Sequence, residues 1–302
     1  MRVSVAMTTY NGSKYIKEQL NSILNQSKSV DEILIFDDQS TDDTISFVEK
    51  IIKEKNVDKC KVYLNKSRMG WKKNFIQAIS ATTGDIVFLA DQDDVWHRQK
   101  VELLCAVFEK EKDANLVVCK YQSFLRNNEA DIGSFETFFY DKLKYGRMSK
   151  KNDWNIHFPG CTYAFRKDFF EQIKTAWFED VPHDLLIYEA SFLCNTTFVC
   201  DAVLHFFRRH EDSVTTNAPP ILEKENRVEL LSNLLKLLTN LVSCGFPFNS
   251  PLGDDLRNFL SFRIQWIKRR SLFAFINILK NIFFYRNVRT FLTDCFVALK
   301  LK

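Results

Sequence analysis

Asp85-Ile86-Val87-Phe88-Leu89-Ala90-Asp91-Gln92-Asp93-Asp94-Val95-Trp96 is the stretch on which the fold turns. Its unbroken apolar run has strand length and needs cover on both faces, which points to a parallel sheet layered by helices. The run then breaks into carboxylates, so their chemistry belongs to the strand's carboxyl end. The same pattern recurs upstream: Val3–Met7 enters Thr8-Thr9-Tyr10-Asn11, and Glu32–Phe36 enters Asp37-Asp38-Gln39-Ser40. Cys60–Leu64 and Leu116–Tyr121 read as further strands. Helical spacing fills the gaps, in Ser13–Asn25, Thr41–Ile52, Phe75–Ala81 and Val101–Phe108.

This alternation predicts an α/β fold with a mainly parallel sheet flanked by helices. Ligands of such sheets bind beyond the carboxyl ends of the strands, and three polar clusters there define one crevice. Farther on, 124–155 is expected to form a loop or lid. Phe158–Arg166 and Thr197–Phe207 look strand-like, and Asp184–Cys194 helical. From about Pro220 amphipathic helices are expected, interrupted at Gly245-Phe246-Pro247 and Pro251.

The chain has 302 residues, 46% apolar and 26% charged, with 8 Gly and 6 Pro, which excludes collagen-like, low-complexity and disordered classes. Net charge is +4 overall, but Leu256–Lys302 carries ten Lys/Arg against one acid, Asp294. A mildly acidic body with a strongly basic tail suggests an anionic partner, lipid or nucleic acid. The eight cysteines show no C-x-x-C pair and mostly sit in apolar patterns, as reduced buried thiols of a cytosolic protein would. The first residues run straight into a strand without a signal-peptide core, and no 18-residue apolar run occurs. A cytoplasmic protein that does not span a membrane is therefore expected.

Asp91, Asp93 and Asp94 repel one another unless a cation shares them. Mg²⁺ or Mn²⁺ takes such oxygen ligands together with phosphate oxygens, so one reading is a metal–diphosphate site. The other is a solvated acidic loop capping the next helix. Asp38, beside Thr8 and Tyr10, could accept a hydrogen bond from a nucleobase imide; the other reading of Asp37-Asp38-Gln39-Ser40-Thr41-Asp42 is a helix start with Ser40 or Thr41 as N-cap and acids on the first turn. Asp184 could take a proton from an acceptor hydroxyl. His210 is open between a ligand and a surface residue, while His97 and His205 are expected to be structural.

Taken together, Val3–Gly12, Glu32–Asp42 and Asp91-Gln92-Asp93-Asp94-Val95-Trp96 resemble glycosyltransferase family 2 in order and spacing. Phe158-Pro159-Gly160-Cys161-Thr162, His183-Asp184 and Phe207-Arg208-Arg209-His210 resemble its bacterial rhamnosyltransferase-type branch. The resemblance covers residues 1–215 and implies a GT-A nucleotide-sugar-binding catalytic domain there, with 216–302 as a C-terminal helical region. It implies inverting transfer of rhamnose or another hexose from a dTDP- or UDP-sugar. By position, Thr8, Tyr10 and Asp38 would hold base and ribose, and Asp91 the ribose or the metal-bound diphosphate. Asp93 would be the principal Mg²⁺ or Mn²⁺ ligand, with Asp91 and His210 completing the site. Gly160 and Cys161 would lie near the donor sugar, and Asp184 would be the catalytic base. Four residues depart from the family's pattern: Gln39 and Glu211 stand where glycine is usual, and Leu185-Leu186 follow His183-Asp184 where aromatic residues are common.

The tail mixes Ile264, Trp266, Ile267, Phe273, Ile276, Leu279 and Phe283 with Lys268, Arg269, Arg270, Lys280, Arg286 and Arg289. It reads either as an interfacial contact with an anionic membrane surface or as a helix packed on the body with a solvated basic face. No groove or stacking motif for nucleic acid is present. A membrane contact would suit a lipid-linked oligosaccharide acceptor on the inner face of the cell membrane. Two other classes fit the sequence less well. A nucleotidyltransferase would need a Gly-rich phosphate loop after the first strand, which Thr8-Thr9-Tyr10-Asn11-Gly12 is not; a non-catalytic membrane scaffold would not need the acidic site residues.

Overall fold

The computed structural model describes residues 1–125, 138–148, 158–210, 223–245, 252–285 and 287–299. These divide into two compact units. The first comprises Met1–Arg147, Phe158–Gln172 and Thr196–Glu211; the second comprises Met148–His157, Ile173–Asn195 and Asp212–Lys302.

The first unit is built on one sheet in the order β3-β2-β1-β4-β8-β6-β9-β5, with β7 also paired to β9. Its strands are β1 (Val3–Thr9), β2 (Glu32–Asp37), β3 (Cys60–Leu64), β4 (Ile86–Ala90), β5 (Val95–Trp96), β6 (Leu116–Leu125), β7 (Tyr145–Arg147), β8 (Tyr163–Arg166) and β9 (Thr197–Arg209). β3, β2, β1 and β4 are mutually parallel, and β6 and β9 are parallel to each other. β8 runs antiparallel to both β4 and β6, so all six parallel strands point the same way. The sheet is mainly parallel, as expected.

Helices α1 (Ile16–Leu24), α2 (Thr44–Lys55), α3 (Trp71–Ala81), α4 (Lys100–Lys110) and α5 (Lys167–Ile173) accompany it. Every residue of β1 and β4 is buried. Val5, Met7, Ile35 and Phe88 pack in one cluster with Leu20 of α1, Val48 of α2 and Leu104 of α4. That cover is what the unbroken apolar runs require. Thr9 pairs with Asp37, and Met7 with Ala90, so β1, β2 and β4 end together, and Asp38 and Asp91 emerge at one edge.

Two expectations need correction. Phe158–Arg166 is a strand only from Tyr163; Gly160–Thr162 form a 3₁₀ turn behind Pro159, whose ring nitrogen has no hydrogen for a ladder. Leu116–Tyr121 extends to Leu125, paired with β9 through a register shift after Cys119. The expected loop or lid at 124–155 falls largely outside the described residues, as do Glu211, the onset of helix near Pro220 and the interruption at 246–251.

The second unit contains α6 (His183–Leu193), α7 (Lys224–Ser243), α8 (Leu252–Arg269), α9 (Leu272–Lys280) and α10 (Val288–Leu299). Leu237 and Leu238 of α7 and Leu256, Phe259 and Leu260 of α8 form its apolar interior. One carboxylate ties the helices together. Asp294 on α10 accepts from Arg227 Nε (2.8 Å), Arg263 Nε (2.7 Å) and the Tyr285 hydroxyl (2.7 Å), all buried. Burial alone would push this carboxyl up, but the two guanidiniums and the phenol outweigh it and hold it below its ordinary value. Among the described residues, no helix is long and apolar enough to cross a membrane.

Candidate active site at the carboxyl edge of the sheet

After β4 the chain turns, and β5 runs back antiparallel along β9, pairing Val95 with Phe206 and Trp96 with His205. This two-residue ladder draws the acidic turn onto the end of β9. There the His210 Nε2 and Asp93 Oδ2 atoms lie 2.7 Å apart, both part-exposed. Tyr15 braces the imidazole, with ring centroids 4.9 Å apart.

Asp94 turns the other way, into the protein. One of its oxygens accepts from the Arg208 main-chain N–H (2.9 Å), and the other faces His205 Nε2 (2.8 Å). Beyond the ring, the buried Lys100 ammonium donates to the Cys161 carbonyl (2.7 Å) and lies 3.1 Å from His205 Nδ1. It also sits 3.9 Å over the Trp96 ring. His205 thus lies between Lys100 at Nδ1 and Asp94 at Nε2, each within hydrogen-bond distance. Burial pushes the Asp94 carboxyl up and Lys100 down, while burial and then Lys100 hold His205 well below the usual imidazole range.

Arg208 completes the anchoring. Its Nε donates to the Asp93 carbonyl (2.7 Å), its guanidinium pairs with Glu18, and the group lies over the Tyr15 and Phe124 rings. Asp93 is thereby held through its main chain, and its part-exposed carboxylate faces His210.

Among the described residues, two clusters bring together side chains of metal-ligating type. Asp94, Cys161 and His205 bring one ligand atom each within 4.8 Å of one another. They do not suit a hard divalent ion with a diphosphate: all three are buried, Lys100 Nζ sits at His205 Nδ1, and both Asp94 oxygens already have partners at hydrogen-bond distance. Asp93 and His210 suit a hard divalent ion better by donor type and exposure: a part-exposed carboxylate and imidazole face each other at hydrogen-bond distance, and Asp91 lies half-buried two residues before.

The loop after β1 is fastened to this acidic turn by an amide that both gives and accepts. Gln92 Oε1 accepts from the Tyr10 N–H (2.8 Å) and Nε2 donates to the Tyr10 carbonyl (2.9 Å). A Cβ on Gly12 would lie 2.3 Å from Gln92 Oε1, so only glycine leaves the clamp room. Thr8 is buried at the end of β1, and the Arg68 guanidinium lies 3.8 Å over the Tyr10 ring. Asp38 is buried and accepts from Asn65 Nδ2 (3.0 Å) and from the main-chain N–H groups of Met69 (2.7 Å) and Gly70 (2.8 Å). It shapes the 65–70 loop and keeps at most one lone pair for a ligand.

Gln39 has φ +65°, the left-handed conformation that explains why glycine suits this position. Its side chain is exposed and donates to the Lys66 carbonyl at 2.9 Å. Gln39→Gly is expected to leave urea stability level or raise it by up to about 1 kcal/mol, and Gln39→Val to lower it by about 1–2 kcal/mol. Equal midpoints for the two variants would contradict the strain argument.

Of the residues singled out in sequence, the fold brings Thr8, Tyr10, Asp38, Asp91, Asp93, Gly160, Cys161 and His210 into the first unit. Gly160 and Cys161 lie buried in the 3₁₀ turn. Asp184 belongs to the second unit, in the first turn of α6, where its Oδ1 accepts from the Leu185 N–H at 2.9 Å. Lys100, Arg208, Gln92 and Glu18 were not anticipated as site residues. Arg208 stood inside a quoted motif, whereas Lys100 looked like an ordinary helix charge.

Residues 4–174 match the family model for glycosyl transferase family 2. The chain is 27% identical over 306 residues to the dTDP-rhamnosyl transferase RfbG of Shigella flexneri, an alignment covering 92% of this chain and all of RfbG. Among solved structures it resembles Staphylococcus aureus TarS 1–349 in complex with UDP-GlcNAc (TM-score 0.65, 18% identity, 93% of this chain and 79% of that one). It also resembles the mannosyltransferase PcManGT of Pyrobaculum calidifontis in complex with GDP-Man and Mn²⁺ (TM-score 0.58, 17% identity, 98% and 84%). At these identities the two structures speak to the fold alone, which is GT-A.

Proposed function

The chain is a glycosyltransferase of family 2, and on that premise we propose that it moves rhamnose or another hexose from a dTDP- or UDP-sugar to a lipid-linked oligosaccharide, with inversion. The acceptor is read as a precursor of a cell-surface polysaccharide, handled by a cytoplasmic protein peripheral to the inner membrane face. RfbG, similar over its whole length, is named for a dTDP-sugar donor, which supports the rhamnosyl reading. The observation that carries the proposal is the convergence of Asp93 and His210 at the strand ends where nucleotides bind in such sheets.

In this reading residues 1–215 form the nucleotide-sugar-binding catalytic domain and 216–302 a helical extension. Thr8, Tyr10 and Asp38 form the base and ribose side of the crevice. Asp93, with Asp91 and His210, would hold Mg²⁺ or Mn²⁺, which when bound neutralises charge on the departing diphosphate. Gly160 and Cys161 offer small residues beside the donor sugar. Asp184 takes the acceptor hydroxyl's proton as that oxygen attacks the anomeric carbon opposite the leaving group, so configuration inverts in one displacement. No covalent sugar–enzyme intermediate is needed.

The test is a donor panel of dTDP-rhamnose, UDP-glucose, UDP-galactose and their N-acetylated analogues, scored by thermal unfolding with Mg²⁺ or Mn²⁺ and with chelator. A donor at about 100 times its Kd adds about 2.7 kcal/mol to stability, a clear rise in Tm. One donor is expected to protect only when metal is present. Protection or turnover indifferent to chelator would overturn the metal assignment.

A further inference from the structure

The strongest unassigned surface lies on α9 and α10. Leu272, Phe273 and Ile276 make one exposed apolar stripe, and Val288, Leu292 and Phe296 another. Their exposures are large for such side chains: 71% for Leu272, 67% for Phe273, 71% for Val288 and 57% for Leu292. The stripes follow helical spacing, so each helix turns a whole face outward. Both helices pack on α8, and the Phe275 and Phe291 rings lie with centroids 6.3 Å apart.

Charge says what covers these faces. Lys268 and Arg269 stand just before α9, Lys280 ends it, and Arg289 stands in the first turn of α10, all exposed. The single acid from 256 to 299 is Asp294, which is buried between Arg227 and Arg263. Among the described residues of that span, no carboxylate therefore faces outward. A surface with large apolar side chains, flanking cations and no anions fits a bilayer interface carrying anionic headgroups. Nucleic acid has no use for the apolar stripes. α9 has nine residues, too short to span a bilayer, so it would lie along the interface.

We infer that α9 and α10 are an in-plane membrane contact selective for anionic phospholipid. Leu272, Phe273, Val288 and Leu292 enter the headgroup boundary, while Lys268, Arg269, Lys280 and Arg289 meet the lipid phosphates. The inference gives the membrane-facing part of the proposed function its surface and its lipid class, and it does not depend on the donor chemistry.

The experiment is flotation of the full chain with vesicles of phosphatidylcholine alone or with about one third phosphatidylglycerol. The anionic vesicles are expected to bind about tenfold more protein or better. K268Q/R269Q/K280Q/R289Q should reduce binding to the phosphatidylcholine level, and L272S/F273S/V288S/L292S should lower it on both vesicles. All altered side chains are exposed, so Tm and donor protection should match the parent chain. Equal flotation of parent and variants overturns the inference. So does absence of flotation together with dimers, seen by sedimentation, that the serine variant dissolves; the face would then belong to a second copy. Flotation that persists in a protein showing no donor protection supports this surface while defeating the sugar-transfer reading.

Discussion

Asp184→Asn is expected to lower sugar transfer about 10²–10⁴-fold while leaving metal-dependent donor protection intact. The amide matches the carboxylate in size but cannot take the acceptor's proton, so the loss should appear in kcat rather than in donor binding. Asp93→Asn should behave differently. Its part-exposed carboxylate is the partner of His210, and neutralising it should abolish both metal-dependent protection and transfer. The pair of variants separates a base from a ligand. Near-normal transfer in Asp184→Asn would remove that residue from the mechanism, and protection persisting in Asp93→Asn would move the metal elsewhere.

The largest expected loss of stability comes from Asp294→Leu. It would leave Arg227 and Arg263 as buried guanidiniums without their carboxylate, and Tyr285 without its acceptor. Breaking a buried pair by deleting one partner costs about 3–5 kcal/mol, because the remaining charge stays desolvated. A triple variant, Arg227→Met/Arg263→Met/Asp294→Leu, removes all the charges together and should recover most of that loss. Urea unfolding reads the size, and hydrogen exchange over α7, α8 and α10 places it in the helical unit. A loss below about 1 kcal/mol in the single variant would show that water reaches the cluster.

The same cluster sets an acid limit. Because the folded Asp294 carboxyl lies below its ordinary value, its contribution is complete above the usual Asp range. It is lost as pH falls through the folded value, so helical-unit protection should weaken at strongly acid pH and not at mildly acid pH.

Much of the sheet-bearing unit was legible because its signals are local. The apolar runs of β1, β2 and β4 required burial on both faces, and their polar endings marked the edge where a ligand meets the sheet. β5 was not legible, since two residues carry no periodicity. The role of β5 is nonetheless decisive, for it folds the acidic turn back onto β9. Asp94 illustrates the resulting limit: by spacing it is a third member of the acidic cluster, but the antiparallel pairing turns it inward to His205. Lys100 was hidden because helix patterning places a lysine at the surface, and only the fold supplies a carbonyl, an imidazole and an indole face to receive it. The assigned role of Asp184 comes from resemblance, since no local pattern distinguishes a base from a helix-capping acid.

The inward network beneath the acidic turn has a bearing on how the enzyme could be re-specified. Lys100, His205 and the Arg208 main chain immobilise Asp94 before any donor arrives, and Gln92 fastens the facing loop in the same way. Association then bears little entropic penalty for ordering these loops. If Thr8 and Tyr10 contact the nucleotide as proposed, changes to their side chains should alter nucleotide preference while the hydrogen bonds that hold Asp94 stay in place. Substituting Lys100, by contrast, should slacken binding of every donor alike, though no atom of it reaches solvent.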